Sequence, residues 1–121
     1  MMFLHTLRVF FTGSYKKPRE LNWIVGVGIF GVMMGLGFTG YLLPWDMKAL
    51  FATKVGIEIA ASVPFIGEYI KILLAGDSTI LGAQTLTRFF AIHVFFLPAA
   101  LFALLAAHFI MIRRQGISGP L

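Results

Sequence analysis

Cysteine is absent from the 121 residues, which excludes a disulfide framework, a thiolate metal site and any thioether-linked group on this chain. Charge is scarce as well: only 12% of the residues are charged, with five acidic residues against ten lysines and arginines. A chain so poor in charge, 59% hydrophobic and with a mean hydropathy of +0.88, is far too apolar for an ordinary soluble domain. The class it points to is an integral membrane protein. A cleavable leader is not expected, because Met1 to Phe11 lacks a basic start followed by a small-residue cleavage site and runs straight into a basic loop. Internal repeats and low-complexity runs are also missing.

Two long apolar runs remain. Trp23 to Leu43 contains no charged residue, and ~20 helical residues cross a hydrocarbon core of ~30 Å. Phe89 to Ile112 is of similar length, has no formally charged residue, and holds His93, His108 and Pro98. Spans are therefore predicted over about 23–43 and 89–112. Met1 to Phe11 is too short to span, so it either lies in the interface or is the tail of a helix whose upstream half precedes this sequence, and the second reading is preferred. A polar loop, Thr12 to Glu20, follows it. Between the spans, Asp46 to Gln84 mixes apolar residues with scattered charges. It is predicted to form two short amphipathic helices on the membrane surface, separated at Pro64, with Gly76-Asp77-Ser78 turning the chain back.

The charges set an orientation. Arg8, Lys16, Lys17, Arg19, Arg113 and Arg114 stand against Glu20 on one side of the membrane. Lys48, Lys54, Lys71 and Arg88 stand against Asp46, Glu58, Glu68 and Asp77 on the other. The positive-inside rule places the first group, and with it both ends of the chain, on the cytoplasmic or stromal side. The formal net charge of +5 thus reflects topology and lipid contact. Nucleic-acid binding is not expected, since the basic residues hug the membrane ends.

His93 and His108 lie fifteen residues apart on one apolar helix, which at ~100° and ~1.5 Å per residue leaves them about 60° from eclipsed and ~22 Å apart. They share a face at opposite depths. That suits two haem irons, each taking one axial imidazole from this helix. Pro98 between them allows a kink. His5 sits at the depth of His108, whereas the partner of His93 is expected one such spacing before His5, outside this sequence. From spacing alone, structural hydrogen bonding between helices and an ion or proton relay remain open alternatives. Gly31 and Gly35 form a GxxxG pair of the kind that packs helices closely. Gly26 and Gly40, fourteen apart, would let two flat macrocycles press on the backbone at two depths. Arg8 and Arg88 are cations near those depths, able to pair with propionates or to mark membrane ends by snorkelling. Trp45, Asp46 and Lys48 would line a quinol pocket or form a helix stop followed by a surface helix.

Several long, ordered blocks carry a family resemblance. Leu4-His5, Arg8-Val9-Phe10, Thr12-Gly13, Lys16 to Trp23, Gly37-Phe38-Thr39-Gly40-Tyr41-Leu42-Leu43-Pro44-Trp45-Asp46, Thr85-Leu86-Thr87-Arg88-Phe89 and Met111 to Leu121 together resemble cytochrome b6 over essentially the whole chain. The spacing of fifteen between His93 and His108 is similar to the b6 branch and its relatives from Gram-positive-type bacteria, where mitochondrial-type cytochromes b have fourteen.

The resemblance implies an all-α membrane protein, part of a four-helix transmembrane haem-binding bundle, with residues 1–121 forming an incomplete N-terminal haem domain that begins inside the second helix. It implies two b haems in the intact subunit. His5 and His108 would ligate the one near the negative side, and His93 would supply one ligand to the other. Gly26 and Gly40 match haem-packing glycines, Arg88 matches a propionate-pairing arginine, and Arg8 and Arg113 are counted with the cofactor-binding residues. The family's extra covalently attached haem uses a cysteine outside this sequence. Implied partners are membrane lipid, a subunit IV-like protein, a Rieske iron-sulfur protein and a c-type cytochrome in a homodimeric complex, with quinol as substrate. The implied activity is that of a quinol:cytochrome c or plastocyanin oxidoreductase, to which this chain contributes electron transfer and proton translocation without turning over alone. Met47 and Phe51 depart from the family pattern on the quinol-oxidation side. Other readings are a di-haem subunit of a hydrogenase or formate dehydrogenase, and a small proton channel or transporter.

Overall fold

Backbone amides and carbonyls cannot be left bare in hydrocarbon, so a spanning chain must satisfy them within its own segments, as a helix does. The computed structural model describes residues 1–76 and 81–117, and its elements are α1 (Met2–Phe11), α2 (Glu20–Leu42), α3 (Met47–Ala61), α4 (Gly67–Ala75), α5 (Ala83–Ala91), a π-helical turn (Ile92–Phe96) and α6 (Leu97–Gln115). No strand occurs among the described residues. The expectation of an all-α membrane protein is borne out. Among the described residues, two helices are long and apolar enough to cross a membrane, α2 with 23 residues and the continuous run Ala83–Gln115 with 33. Only 6% of the apolar window of each is buried within the protein. A core helix of a soluble protein would be mostly covered, so hydrocarbon is the medium that suits these surfaces. α2 starts earlier than the apolar run because Glu20 sits in its first turn, where the helix dipole favours an acid. Similarly, α5 extends the second helix ahead of Phe89.

The chain divides into two compact units, Met1–Met34 with Ala99–Leu121, and Gly35–Pro98. In the first, α1 ends in a Schellman motif: Gly13 N–H donates to the Phe10 carbonyl (3.2 Å) and Ser14 N–H to that of Val9 (3.1 Å). Gly13 takes φ +70° there, a conformation that a side chain would oppose. The loop that follows is held by rings, Tyr15 stacking on Phe10 at 5.7 Å and tilting against Trp23 at 5.4 Å. α6 closes on Gly116, whose N–H returns to the Ile112 carbonyl at 2.8 Å. Arg19 Nε then donates to the Gly116 carbonyl at 3.2 Å.

The second unit is built around α4, which packs against α3 and α5. Asp46 caps α3, its Oδ1 accepting from Ala49 N–H at 2.8 Å. That carboxylate is therefore occupied as a helix N-cap. α3 buries Ala49, Thr53 and Ile57, residues four apart and hence on one stripe. Ala49 and Ile57 join Leu42, Ala75 and the fully buried Phe89 in the core, with the Phe38 ring tilted against Phe89 at 5.6 Å. Gly56 lets Phe38 come so close that a Cβ there would overlap its ring. At the α3–α4 corner, Ile66 N–H donates to the Pro64 carbonyl at 2.9 Å across Phe65, which has φ +71°. That is a γ-turn of the rare positive-φ kind. Lys71 and Glu58 pair at 3.3 Å across the same two helices.

The end of α4 is clasped from α5. Thr85, fully buried, donates to the Ala75 carbonyl at 2.8 Å and accepts from Gly82 N–H at 3.2 Å. One turn on, Arg88 Nη1 donates to the carbonyls of Leu73 (2.7 Å) and Ile72 (3.3 Å). Both carbonyls lie in the last turn of α4, and that of Ile72 also accepts from Gly76 N–H at 2.9 Å. Of the expected Gly76-Asp77-Ser78 turn, Gly76 caps α4 with φ +85°, and Asp77 and Ser78 lie outside the described residues.

Candidate functional site

The distortion expected at Pro98 takes the form of the π turn. Proline has no N–H and its ring crowds the carbonyl four residues back, here that of Val94. The ladder loosens upstream of it, and Leu97 N–H reaches the Ile92 carbonyl instead of that of His93. π turns of this kind recur at functional sites, and this one contains His93. The imidazole of His93 lies against α2. A Cβ on Gly40 would stand 2.7 Å from its Cε1, 3.2 Å from Nδ1 and 3.3 Å from Nε2. Beside it, Thr39 Oγ1 is 3.2 Å from His93 Nδ1 and donates to the Gly35 carbonyl at 2.8 Å. Thr39 is almost fully buried.

In the first unit a cavity of about 590 Å³ gathers His5 and Arg8 from α1, Arg19 from the loop, Asn22 and Gly26 from α2, and His108 from α6. Its size lies within the ~300–1,000 Å³ range of ligand and cofactor pockets. Apolar side chains, among them Ile29, Phe30, Leu105 and Ile112, make up much of the wall. Gly26 faces the His108 ring, a Cβ there meeting Cε1 at 3.5 Å. One polar atom in this wall, Asn22 Oδ1, is buried without a hydrogen-bond partner among the described residues. An unmet buried polar atom in an otherwise apolar cavity is an expected mark of a bound group. A haem fits these residues: two imidazoles line one cavity with a glycine beside one of them, and a guanidinium is at hand for carboxylates.

The expected residues are thus distributed as follows. His5, Arg8, Gly26 and His108 share the cavity, while His93 and Gly40 meet in the other unit. Arg88 is engaged through Nη1 with α4, its other N–H groups being left for a further acceptor. Arg113 is exposed on the last turn of α6 and does not line the cavity. In the GxxxG pair, a Cβ on Gly35 would meet Leu97 Cδ1 at 3.4 Å, whereas one on Gly31 would meet nothing within 4 Å among the described residues. The sequence reading did not single out Thr39, Asn22 or Arg19.

Fold and site together define an α-helical integral membrane protein with imidazoles packed on glycines of a spanning helix. The sequence model of the family described as Cytochrome b(N-terminal)/b6/petB matches residues 1–121, and the chain belongs to that family, whose members bind haem b. It is 83% identical over all of its 121 residues to a menaquinol:cytochrome c reductase cytochrome b subunit of Geobacillus thermodenitrificans, 54% of which is covered. A protein of the same description from Bacillus subtilis is 82% identical, also over the whole chain and 54% of the relative. Cytochrome b6 of Heliobacterium mobile is 48% identical over the whole chain and 56% of its own length. The chain spans about half the length of the curated relatives it matches.

Proposed function

We propose that this chain forms part of a di-haem cytochrome b subunit in a quinol:cytochrome c or plastocyanin oxidoreductase, accepting electrons from quinol and passing them across the membrane. The quinol is of the menaquinol type, as the names of the relatives at 83% and 82% identity suggest. Residues 1–121 make up the larger part of an N-terminal haem domain with spans over about 23–43 and 89–112. His5 and His108 ligate the haem near the cytoplasmic side, where the two ends of this chain lie. His93 provides one ligand to a second haem near the opposite side, its other ligand coming from residues beyond these 121. Gly26 and Gly40 give clearance to the two macrocycles, and Arg8, Arg88 and Arg113 pair with propionates or mark the membrane ends. The haems supply the redox chemistry, and the protein supplies ligation, burial and orientation. A subunit IV-like protein, a Rieske iron-sulfur protein and a c-type cytochrome complete the complex, which is a homodimer. A third, covalently attached haem would need a cysteine outside these residues.

The observation that carries this reading is the cavity that joins His5 and His108 from separate helices around a glycine. Family membership does not favour a hydrogenase or formate dehydrogenase subunit, nor a proton channel. Reduced-minus-oxidised spectra of membranes holding the whole complex test it. A His5→Ala, His108→Ala double variant should lose one b-type band and keep the other. Full retention of both bands would overturn the assignment.

A further inference from the structure

We infer that Thr39 is a positioning residue for His93, holding its imidazole in the Nδ1–H tautomer so that Nε2 is the nitrogen presented to a haem iron. This rests on the reading of His93 as an axial ligand. The Thr39 hydroxyl has one proton, and the structure commits it along α2: Oγ1 lies 2.8 Å from the Gly35 carbonyl and 3.3 Å from that of Leu36. What the oxygen has left is a lone pair. At 3.2 Å from His93 Nδ1, it must act as acceptor, so Nδ1 carries the hydrogen and Nε2 the free lone pair. Thr39 is 4% exposed, so water does not compete for the bond. Gly40, the next residue, leaves the ring only the space it occupies, with a would-be Cβ at 2.7 Å from Cε1. Rotation about the ring is thus limited by the glycine and its tautomer by the hydroxyl.

A ligand imidazole that donates its second N–H is a stronger base toward the metal. The chain His93 N–H to Thr39 O–H to Gly35 carbonyl therefore favours the ferric haem. The test uses the whole complex in its membrane, with Thr39→Val, which keeps shape and removes the acceptor, Thr39→Ser, which keeps the acceptor, and His93→Leu. Thr39→Val should lower the ferric over ferrous preference of the haem held by His93 about tenfold, a rise in midpoint potential of ~59 mV for a one-electron couple. The low-spin ferric electron paramagnetic resonance signal of that haem should shift with it. Thr39→Ser should match the parent, and the other b haem should be unmoved in both. Thr39→Val with an unchanged potential and signal, while His93→Leu loses one haem, would overturn the role of Thr39 and leave His93 as a ligand. Thr39→Ser behaving as Thr39→Val would overturn it too, assigning the effect to the methyl group. Retention of both haems in His93→Leu would overturn the ligand reading and this inference together.

Discussion

Replacing Gly40 by alanine should remove the haem at His93, and the same change at Gly26 should do much less at His108. Both glycines lie within α2, where alanine is intrinsically favoured over glycine by about 1 kcal/mol. Any loss must therefore come from contact and must exceed that gain. At Gly40 the new methyl would stand 2.7 Å from His93 Cε1, about 0.7 Å inside the 3.4 Å at which ordinary contact begins. Forcing an extra methyl into a packed site costs about 1–3 kcal/mol. More importantly, ligand geometry has to hold within ~0.5 Å, and the ring must move farther than that. At Gly26 the methyl would meet His108 Cε1 at 3.5 Å, so the imidazole stays in place and only the clearance for a macrocycle shrinks. Haem content per complex, from pyridine haemochrome and low-temperature difference spectra, measures both. We expect the haem at His93 to fall about tenfold or more in Gly40→Ala, with the other retained. Equal haem content in Gly40→Ala and the parent, or a larger loss in Gly26→Ala, would refute the reasoning.

Three further outcomes follow from the second unit, each read as thermal unfolding of the detergent-solubilised complex. Thr85→Val keeps volume but leaves the Ala75 carbonyl and the Gly82 N–H without this partner, at about 1–3 kcal/mol for the buried carbonyl and less for the partly exposed N–H; Thr85→Ser should lose far less. Phe89→Ala empties a fully buried site against Phe38 and should cost about 3–5 kcal/mol. Phe65→Gly should stabilise. The 97% exposed ring gives up no packing, and relief of the positive φ, worth about 1–3 kcal/mol, outweighs the ~0.5–1 kcal/mol flexibility cost of glycine.

What the sequence made legible follows from what hydrocarbon enforces. Charge-free runs of spanning length can be only helices there, so α2 and the helix bearing His93 and His108 could be read directly, as could the break between α3 and α4 at Pro64. Depth is linear in residue number along a helix, which is why His5 and His108 could be paired and are found lining one cavity. Less legible were features set by partners distant in sequence. Arg88 was read as a propionate partner because it is a cation at the right depth, yet its Nη1 serves α4 carbonyls fifteen and sixteen residues away. Asp46 was left between a pocket wall and a helix stop, and only the Ala49 bond shows it capping α3. Thr39 stood unremarked inside a recognised block, since a hydroxyl gains meaning only when the ring it faces is known. The π turn was visible only as a proline that permits distortion. Proline signals that the ladder must break, but not which register the freed N–H of Leu97 adopts.

The clasp of Thr85 and Arg88 on the end of α4 joins side-chain donors of α5 to backbone acceptors of α4. Every residue carries a backbone carbonyl whatever its side chain. The half-exposed Ile72 and the exposed Leu73 can therefore be exchanged without removing an acceptor, whereas a change at Thr85 or Arg88 removes a donor outright.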